Sequence, residues 1–264
     1  MLSLGILSWR AHDTLRRTLM SYGHIIPLVD EAVIYFNDIT DEDRAIANEF
    51  GLRAEGGARN LGILGGTRAL VASLHGDKVI LTQNDNPVCV PPDVLSRRVA
   101  AARALLDDDI ADLVRLGNRF GDGFSDRYKY LRYWPDECGS MSVIVRLRRI
   151  LRPFKSRRMA GRAPAVLKDP TLVHPSLFTR AGDAFIADSS VVDYTDQPFM
   201  ASRALVENLL EWAYANQRGF STLNGMAVPE IVLNSSGYWH KRHLHVAVTD
   251  GVFAHARFDG SFRS

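Results

Sequence analysis

The strongest constraint on this sequence is a regular switch between two periodicities over its first 85 residues. Residues 2–8, 32–36 (AVIYF) and 78–82 are short apolar runs bounded by polar residues. Runs of that length read as strands buried on both faces. Between them, apolar residues recur at helical spacing: Leu15, Leu19 and Tyr22, then Ile46 and Phe50. Asp13 or Thr14 is suited to cap the first helix, and Gly23 to stop it. Thr40 is suited to cap the second, with Asp41, Glu42 and Asp43 where the helix dipole favours acids and Gly51 beyond its end. A polar, glycine-bearing loop over 59–66 leads to a third predicted helix over 67–74. Strand and helix in alternation make a parallel sheet covered by helices, and ligands of such sheets bind beyond the carboxyl ends of the strands. Those ends carry SWRAHD, NDITDED and QNDNP.

The rest of the chain is less regular. Residues 92–106 read as a helix with Leu95, Val99 and Leu106 inward. Residues 112–116 read as a strand, 117–136 as a long polar and aromatic loop, and 184–192 as strand-like. Residues 202–216 form a helix with Leu205, Leu209 and Trp212 on one side. HLHVAV and VFAHARF flank Thr249-Asp250-Gly251, and Asp-Gly between two alternating runs predicts a C-terminal β-hairpin. There is no internal repeat and no linker composition, so one domain is expected over 1–264.

Composition removes several classes. A chain with 46% hydrophobic and 23% charged residues is globular, not disordered. A net charge of +2 gives no electrostatic case for nucleic acid. Two cysteines, Cys89 and Cys138, exclude a disulfide-rich scaffold and a four-cysteine zinc module, and suit a reducing cytoplasm. The opening MLSLGILSWR lacks a basic leader and a small-residue cleavage site, so it reads as a first strand and not as a signal peptide. No apolar stretch approaches the roughly 20 residues that span a bilayer.

Taken in order, four segments resemble the glycosyltransferase family 2 type of GT-A fold. LSLGILSWRAHDTLRRTLMSY is similar to its opening strand, polar loop and helix. YFNDITDEDRAIANEFG is similar to its second strand, acidic pair and helix. RNLGILGGTRAL is similar to its Asn-x-Gly-rich loop, and HGDKVILTQNDNP to its Gly-Asp pair, strand and DxD motif. The resemblance implies an α/β fold with a GT-A (Rossmann-like), mostly parallel sheet flanked by helices. It implies an enzyme moving a sugar from a nucleotide-diphosphate donor to a hydroxyl acceptor, in surface polysaccharide or lipopolysaccharide assembly. Residues 1–90 would then be the nucleotide-binding half and 91–264 the acceptor-binding half. Ser8, Trp9, Asn37, Asp38, Asn60, Arg68 and Asn84 fall where the donor nucleotide would be held. Asn37 stands where the family has an acid. Gln83 replaces the first acid of DxD, leaving Asp85.

A leaving nucleoside diphosphate concentrates negative charge, and a hard cation on carboxylate oxygens neutralises it. One carboxylate suffices, because Mg²⁺ keeps waters and substrate phosphates as its other ligands. Asp85 is the expected ligand of Mn²⁺ or Mg²⁺. VFAHARFD resembles a late segment of related transferases, which picks out His255 as a second. An inverting transfer also needs a carboxylate to deprotonate the acceptor. Asp183, Asp188, Asp193 and Asp196 occupy the matching window; Asp193 is favoured and Asp188 second. The family's Glu-Asp pair is missing there.

Each reading has a plainer competitor. Asp85 before Asn86-Pro87 also fits a turn, and Asn37 and Asp38 fit a helix cap. Gly62, Gly65 and Gly66 fit a tight loop, and His255 a packed strand histidine. His240, His243 and His245 read as surface or acceptor-site residues, not a zinc site. Residues 145–162 are basic and amphipathic, broken by Pro153. They fit a peripheral contact with the inner face of a membrane and a lipid-linked or glycan acceptor, an arginine-bearing loop over the active site, or a solvated face. A nucleotidyltransferase would need a glycine-rich phosphate loop after the first strand, and SWRAHD has no glycine. A degenerate relative that binds nucleotide sugar or glycan without turnover is the other rival, and Gln83 is its best support.

Overall fold

The alternation over the first 85 residues is the chain order of the computed structural model, which describes residues 1–120, 124–135 and 143–256. β1 (Leu2–Ser8), α1 (His12–Met20), β2 (Glu31–Phe36), α2 (Asp41–Glu49), β3 (Arg53–Gly56), α3 (Gly62–Ser73) and β4 (Lys78–Gln83) come first. α4 (Pro92–Asp107), β5 (Leu113–Gly117), α5 (Phe124–Leu131), α6 (Val143–Leu151), α7 (Pro153–Ala160) and α8 (Pro170–Val173) follow. β6 (Thr179–Ala181), β7 (Ala184–Asp188), β8 (Phe199–Ser202), α9 (Arg203–Ala215), α10 (Pro229–Ser235) and β9 (His245–Phe253) complete the set.

The strands form one nine-stranded sheet in the order β3-β2-β1-β4-β8-β5-β9-β7-β6. Its first four strands are parallel. Beyond them the sheet is mixed: β8 runs antiparallel between β4 and β5, while β9 is parallel to β5 and antiparallel to β7. β1 is buried along its whole length. Leu2, Leu4 and Ile6 face one core with Leu15, Phe36, Ile46 and Met200, and Leu7 faces the other with Leu64, Leu70, Val79 and Trp239. This period-2 division is why its sequence carries no charged or large polar residue on either face.

Thr40 caps α2 as expected, in a capping box completed by Asp43. α3 starts earlier than the predicted residue 67. Asn60 Oδ1 accepts the Gly62 N–H at 2.8 Å. The Asn37 amide accepts from Leu61 N–H at 3.2 Å and donates to the Gly62 carbonyl at 3.1 Å. Gly62 has φ +71°, and a Cβ there would lie 2.7 Å from Met226 Cβ, so the glycine is needed for backbone and space alike.

Two expectations are corrected. Part of the 117–136 loop is helix α5; residues 121–123 and 136, like Cys138, lie outside the described residues. The predicted hairpin does not form either: Asp250-Gly251 lies inside the single strand β9, at a register shift against β5. Gly251 takes φ +68°, a Cβ on it would lie 2.3 Å from the Gly117 carbonyl oxygen, and Thr249 Oγ1 donates to the Arg115 carbonyl at 2.8 Å. The Asp-Gly pair makes a bulge that bends the strand in place of a turn that reverses it. Among the described residues, no helix is long and apolar enough to cross a membrane.

Candidate active site

The sheet brings Asp85 and His255 together at the carboxyl end of β4. The turn after β4 is fixed from inside. Asn86 Oδ1 accepts the Gln83 N–H at 3.0 Å, Thr18 Oγ1 donates to the Asn84 carbonyl at 2.7 Å, and Tyr22 OH donates to the Asn86 carbonyl at 2.9 Å. Past β9 the chain runs antiparallel to this turn, with Ala254 N–H on the Pro87 carbonyl at 2.9 Å and Ala256 N–H on the Asp85 carbonyl at 2.8 Å. His255 Nε2 thereby stands 3.2 Å from Asp85 Oδ2. The other oxygen, Asp85 Oδ1, is buried without a hydrogen-bond partner. A buried carboxylate oxygen left bare costs free energy unless something cationic or donating meets it. The pair thus fits a hard divalent cation whose remaining ligands are water and phosphate. Among the described residues, no three His, Cys, Asp or Glu are grouped so that they could hold a metal ion by themselves.

His255 is also on the wall of a cavity of about 380 Å³. Arg115, Arg119, Arg158 and Arg162 line it, with Asp126, Asp193 and Glu230. Asp193 is held between two guanidiniums, Arg158 Nε at 2.8 Å from Oδ1 and Arg162 at 2.8 Å from Oδ2, with His240 Nε2 at 3.4 Å. Arg115 donates to the Asp193 carbonyl, and burial pulls its own pKa down. Both oxygens of this carboxylate are thus engaged by guanidiniums.

Two acids of raised pKa lie one step away. Burial, then the nearby Glu230 charge, pushes the Asp196 carboxyl up to about 8. Burial also raises Glu230, opposed by the Asp196 backbone N–H and the Arg115 charge. Each carboxyl accepts a hydrogen bond from the other's backbone N–H. Asp196 is crowded by protein yet only half-buried by area, whereas Glu230 opens into the cavity from the first turn of α10. Gln83 Nε2 donates to the Asp196 carbonyl at 3.3 Å, tying this loop to the end of β4. Asp196 was in the sequence window but not preferred, and Glu230 was missed. The signal for Glu230 is its place after Val228-Pro229, a helix start with Pro at N1.

The remaining expected residues divide. Asp188 does not line the cavity; its carboxylate accepts from Ser190 N–H at 2.7 Å and faces His243 at 3.2 Å. Arg68 turns away onto α9, where it pairs with Glu211 and lies 4.6 Å from the Tyr214 ring centroid. The amides of Asn37 and Asn60 are spent on the α3 start described above. Ser8 is buried with an unpartnered Oγ, and its carbonyl accepts the Asn37 N–H at 2.9 Å. Arg10, not singled out in the sequence, joins three strand ends: it contacts Asp38 at 3.2 Å, accepts from Asn84 Nδ2 at 3.4 Å, and sits 5.3 Å from the Trp9 ring centroid. Arg10 and Asp38 both have positive φ, 50° and 64°, a strained backbone of the kind that gathers at ligand sites.

No family model matches the sequence, and no curated protein matches it. Solved structures do. Glucosyl-3-phosphoglycerate synthase from Mycobacterium tuberculosis, in complex with Mn²⁺, UDP-glucose and phosphoglyceric acid, has a TM-score of 0.50 at 16% identity over 97% of this chain and 72% of its own. The same enzyme with Mn²⁺ and UDP-glucose gives 0.50 at 16% over 97% and 71%. A mycobacterial protein gives 0.51 at 17% over 97% and 67%. A likeness running through nearly all of the chain at so low an identity is one of architecture, and the chain has the GT-A fold.

Proposed function

We propose that this chain is a glycosyltransferase that moves a sugar from a nucleotide-diphosphate donor to a hydroxyl acceptor, assisted by Mn²⁺ or Mg²⁺. The observation that carries this is the Asp85–His255 pair, with its bare carboxylate oxygen, whose histidine lies on the wall of the same cavity as the raised-pKa acid Glu230. The structural neighbours hold Mn²⁺ and UDP-glucose, which supports the same ligands here. When bound, the cation supplies positive charge to the leaving diphosphate.

The chain's own residues then have these roles. Arg10, Trp9, Asp38 and Asn84 form the floor for the nucleotide. Glu230 takes the acceptor hydroxyl proton as that oxygen bonds to the anomeric carbon and the bond to the diphosphate breaks, an inverting displacement. Asp196, protonated near neutral pH, keeps Glu230 from facing a second negative charge. Asp193 positions Arg158 and Arg162, and the guanidinium-lined wall fits an acceptor carrying an anionic group. A glycan or lipid-linked acceptor of surface polysaccharide or lipopolysaccharide assembly meets that description. We place the enzyme in the cytoplasm, and read 1–264 as one domain, with the donor held by 1–90 and the acceptor by 91–264.

The test is a thermal-shift screen against nucleoside diphosphates with and without Mn²⁺. Saturation at about 100 times the dissociation constant stabilises by about 2.7 kcal/mol. A Mn²⁺-dependent shift with one nucleotide, lost in Asp85→Ala, is expected; an equal shift in that variant overturns the metal role. One observation favours a second reading, binding without turnover. Gln83, in the place of an acid, has its amide committed to the Asp196 carbonyl. Nucleotide binding with no donor hydrolysis or transfer would select it.

A further inference from the structure

An amphipathic helix on a globular protein normally buries its apolar side. α6 does the reverse. Its polar side faces the body: the Arg149 guanidinium lies 3.6 Å from the Trp134 ring centroid, and Arg148 donates to the Arg132 carbonyl at 2.7 Å. Both arginines are half-buried. The apolar side faces solvent, with Val143 72%, Ile144 67%, Leu147 49%, Ile150 72% and Leu151 75% exposed, and Phe154 at the start of α7 89% exposed. Positions 143, 147, 150 and 151 follow helical spacing and make one stripe on α6, and Phe154 is exposed just beyond it, at the start of α7.

Charge says what the patch meets. From Val143 to Lys168 the sequence has nine basic residues and no acidic one. Arg146, Arg152, Lys155 and Arg157 among them are exposed and flank the apolar side chains. Exposed large aliphatics flanked by cations are the pattern of a helix that lies in the headgroup region of an anionic bilayer, with apolar side chains below and arginines on the lipid phosphates. α7 links this surface to the cavity, because Arg158, on the same helix as Phe154, lines it.

We propose that the outward face of α6 and the start of α7 dock this protein on a bilayer rich in anionic lipid. This stands apart from the sugar-transfer reading and does not require it.

Vesicle co-sedimentation of the full chain tests it, with vesicles of phosphatidylcholine alone and with about one-third phosphatidylglycerol. Binding to the anionic vesicles only, weakened by added salt, is expected. The double variant Leu147→Asp/Phe154→Asp should bind about tenfold more weakly or worse, and Arg152→Glu/Lys155→Glu should lose the preference for anionic lipid. These side chains are exposed, so the variants should keep the parent melting temperature. Met20→Asp, an equally exposed site on α1, should bind as the parent does. Absence of binding by the folded parent, or equal binding by the Leu147→Asp/Phe154→Asp protein, overturns the proposal. So does a parent that sediments as a dimer and becomes a monomer in that variant, because a second copy would then cover the face.

Discussion

Asp196 and Glu230 hold each other's carboxyl groups through reciprocal backbone N–H bonds, from a loop and a helix start 34 residues apart. Two acids so placed do not both ionise easily, and only Glu230 opens into the cavity. Glu230→Gln should lower the transfer rate about 10²- to 10⁴-fold, the usual loss for a general base, with nucleotide affinity unchanged by calorimetry. Asp196→Asn imitates the protonated acid and should cost far less at neutral pH. A larger loss in Asp196→Asn than in Glu230→Gln would reverse the two roles.

The same raised pKa makes a stability prediction. The folded state binds the Asp196 proton more tightly than the unfolded state, whose value is near 3.8 against about 8. Its stabilising contribution is therefore complete below pH 3.8 and lost as pH rises through about 8. In Asp196→Asn the melting temperature should fall less between those limits than in the parent. Parallel melting curves against pH for the two proteins would remove this assignment.

His255→Ala should abolish the Mn²⁺ dependence of nucleotide binding while leaving a metal-independent remainder. A histidine that was merely packed would give a less stable protein with unchanged metal titration, read by calorimetry.

Gly161 has no room for a side chain: a Cβ there would lie 1.8 Å from the Val191 carbonyl oxygen. Gly161→Ala should destabilise by about 1–3 kcal/mol, as overpacking does, measured by urea unfolding. It should also disturb Arg158 and Arg162 on either side. Gly23→Ala, where nothing lies within 4 Å, is the control and should be close to neutral.

Arg68 provides a negative prediction. Its guanidinium is committed to Glu211 and Tyr214, so Arg68→Ala should cost about 0.5–1 kcal/mol of stability and leave nucleotide affinity within about twofold. A tenfold weaker affinity in a folded variant would return Arg68 to the donor site.

The first half of the fold was legible because its strands are buried on both faces and its helices carry caps. Thr40, with its acids one turn on, specified α2 without tertiary help. The second half was less so. β3 is four residues with no apolar period, and its place depends on pairing to β2. Asp-Gly at 250–251 is a turn signal that long-range pairing with β5 converted into a bulge. At the candidate site, the nearness of Asp85 and His255 was legible because motif position reports strand ends. The partners of Arg68 and Asp188 were not legible, because the direction of a side chain depends on what packs beside it, and Glu211 and His243 lie far away in sequence. Glu230 was missed for the same reason: its closeness to Asp196 exists only after α10 has docked.

The antiparallel run of 253–256 along 85–88 has a temporal consequence. A ribosome delivers β1 to β4 long before β9, so the nascent chain can pair its parallel strands while the proposed metal site still lacks His255. The histidine arrives only when the bulged strand seats between β5 and β7. Under the proposed roles, an activity that depends on His255 would therefore report that the sheet has been finished.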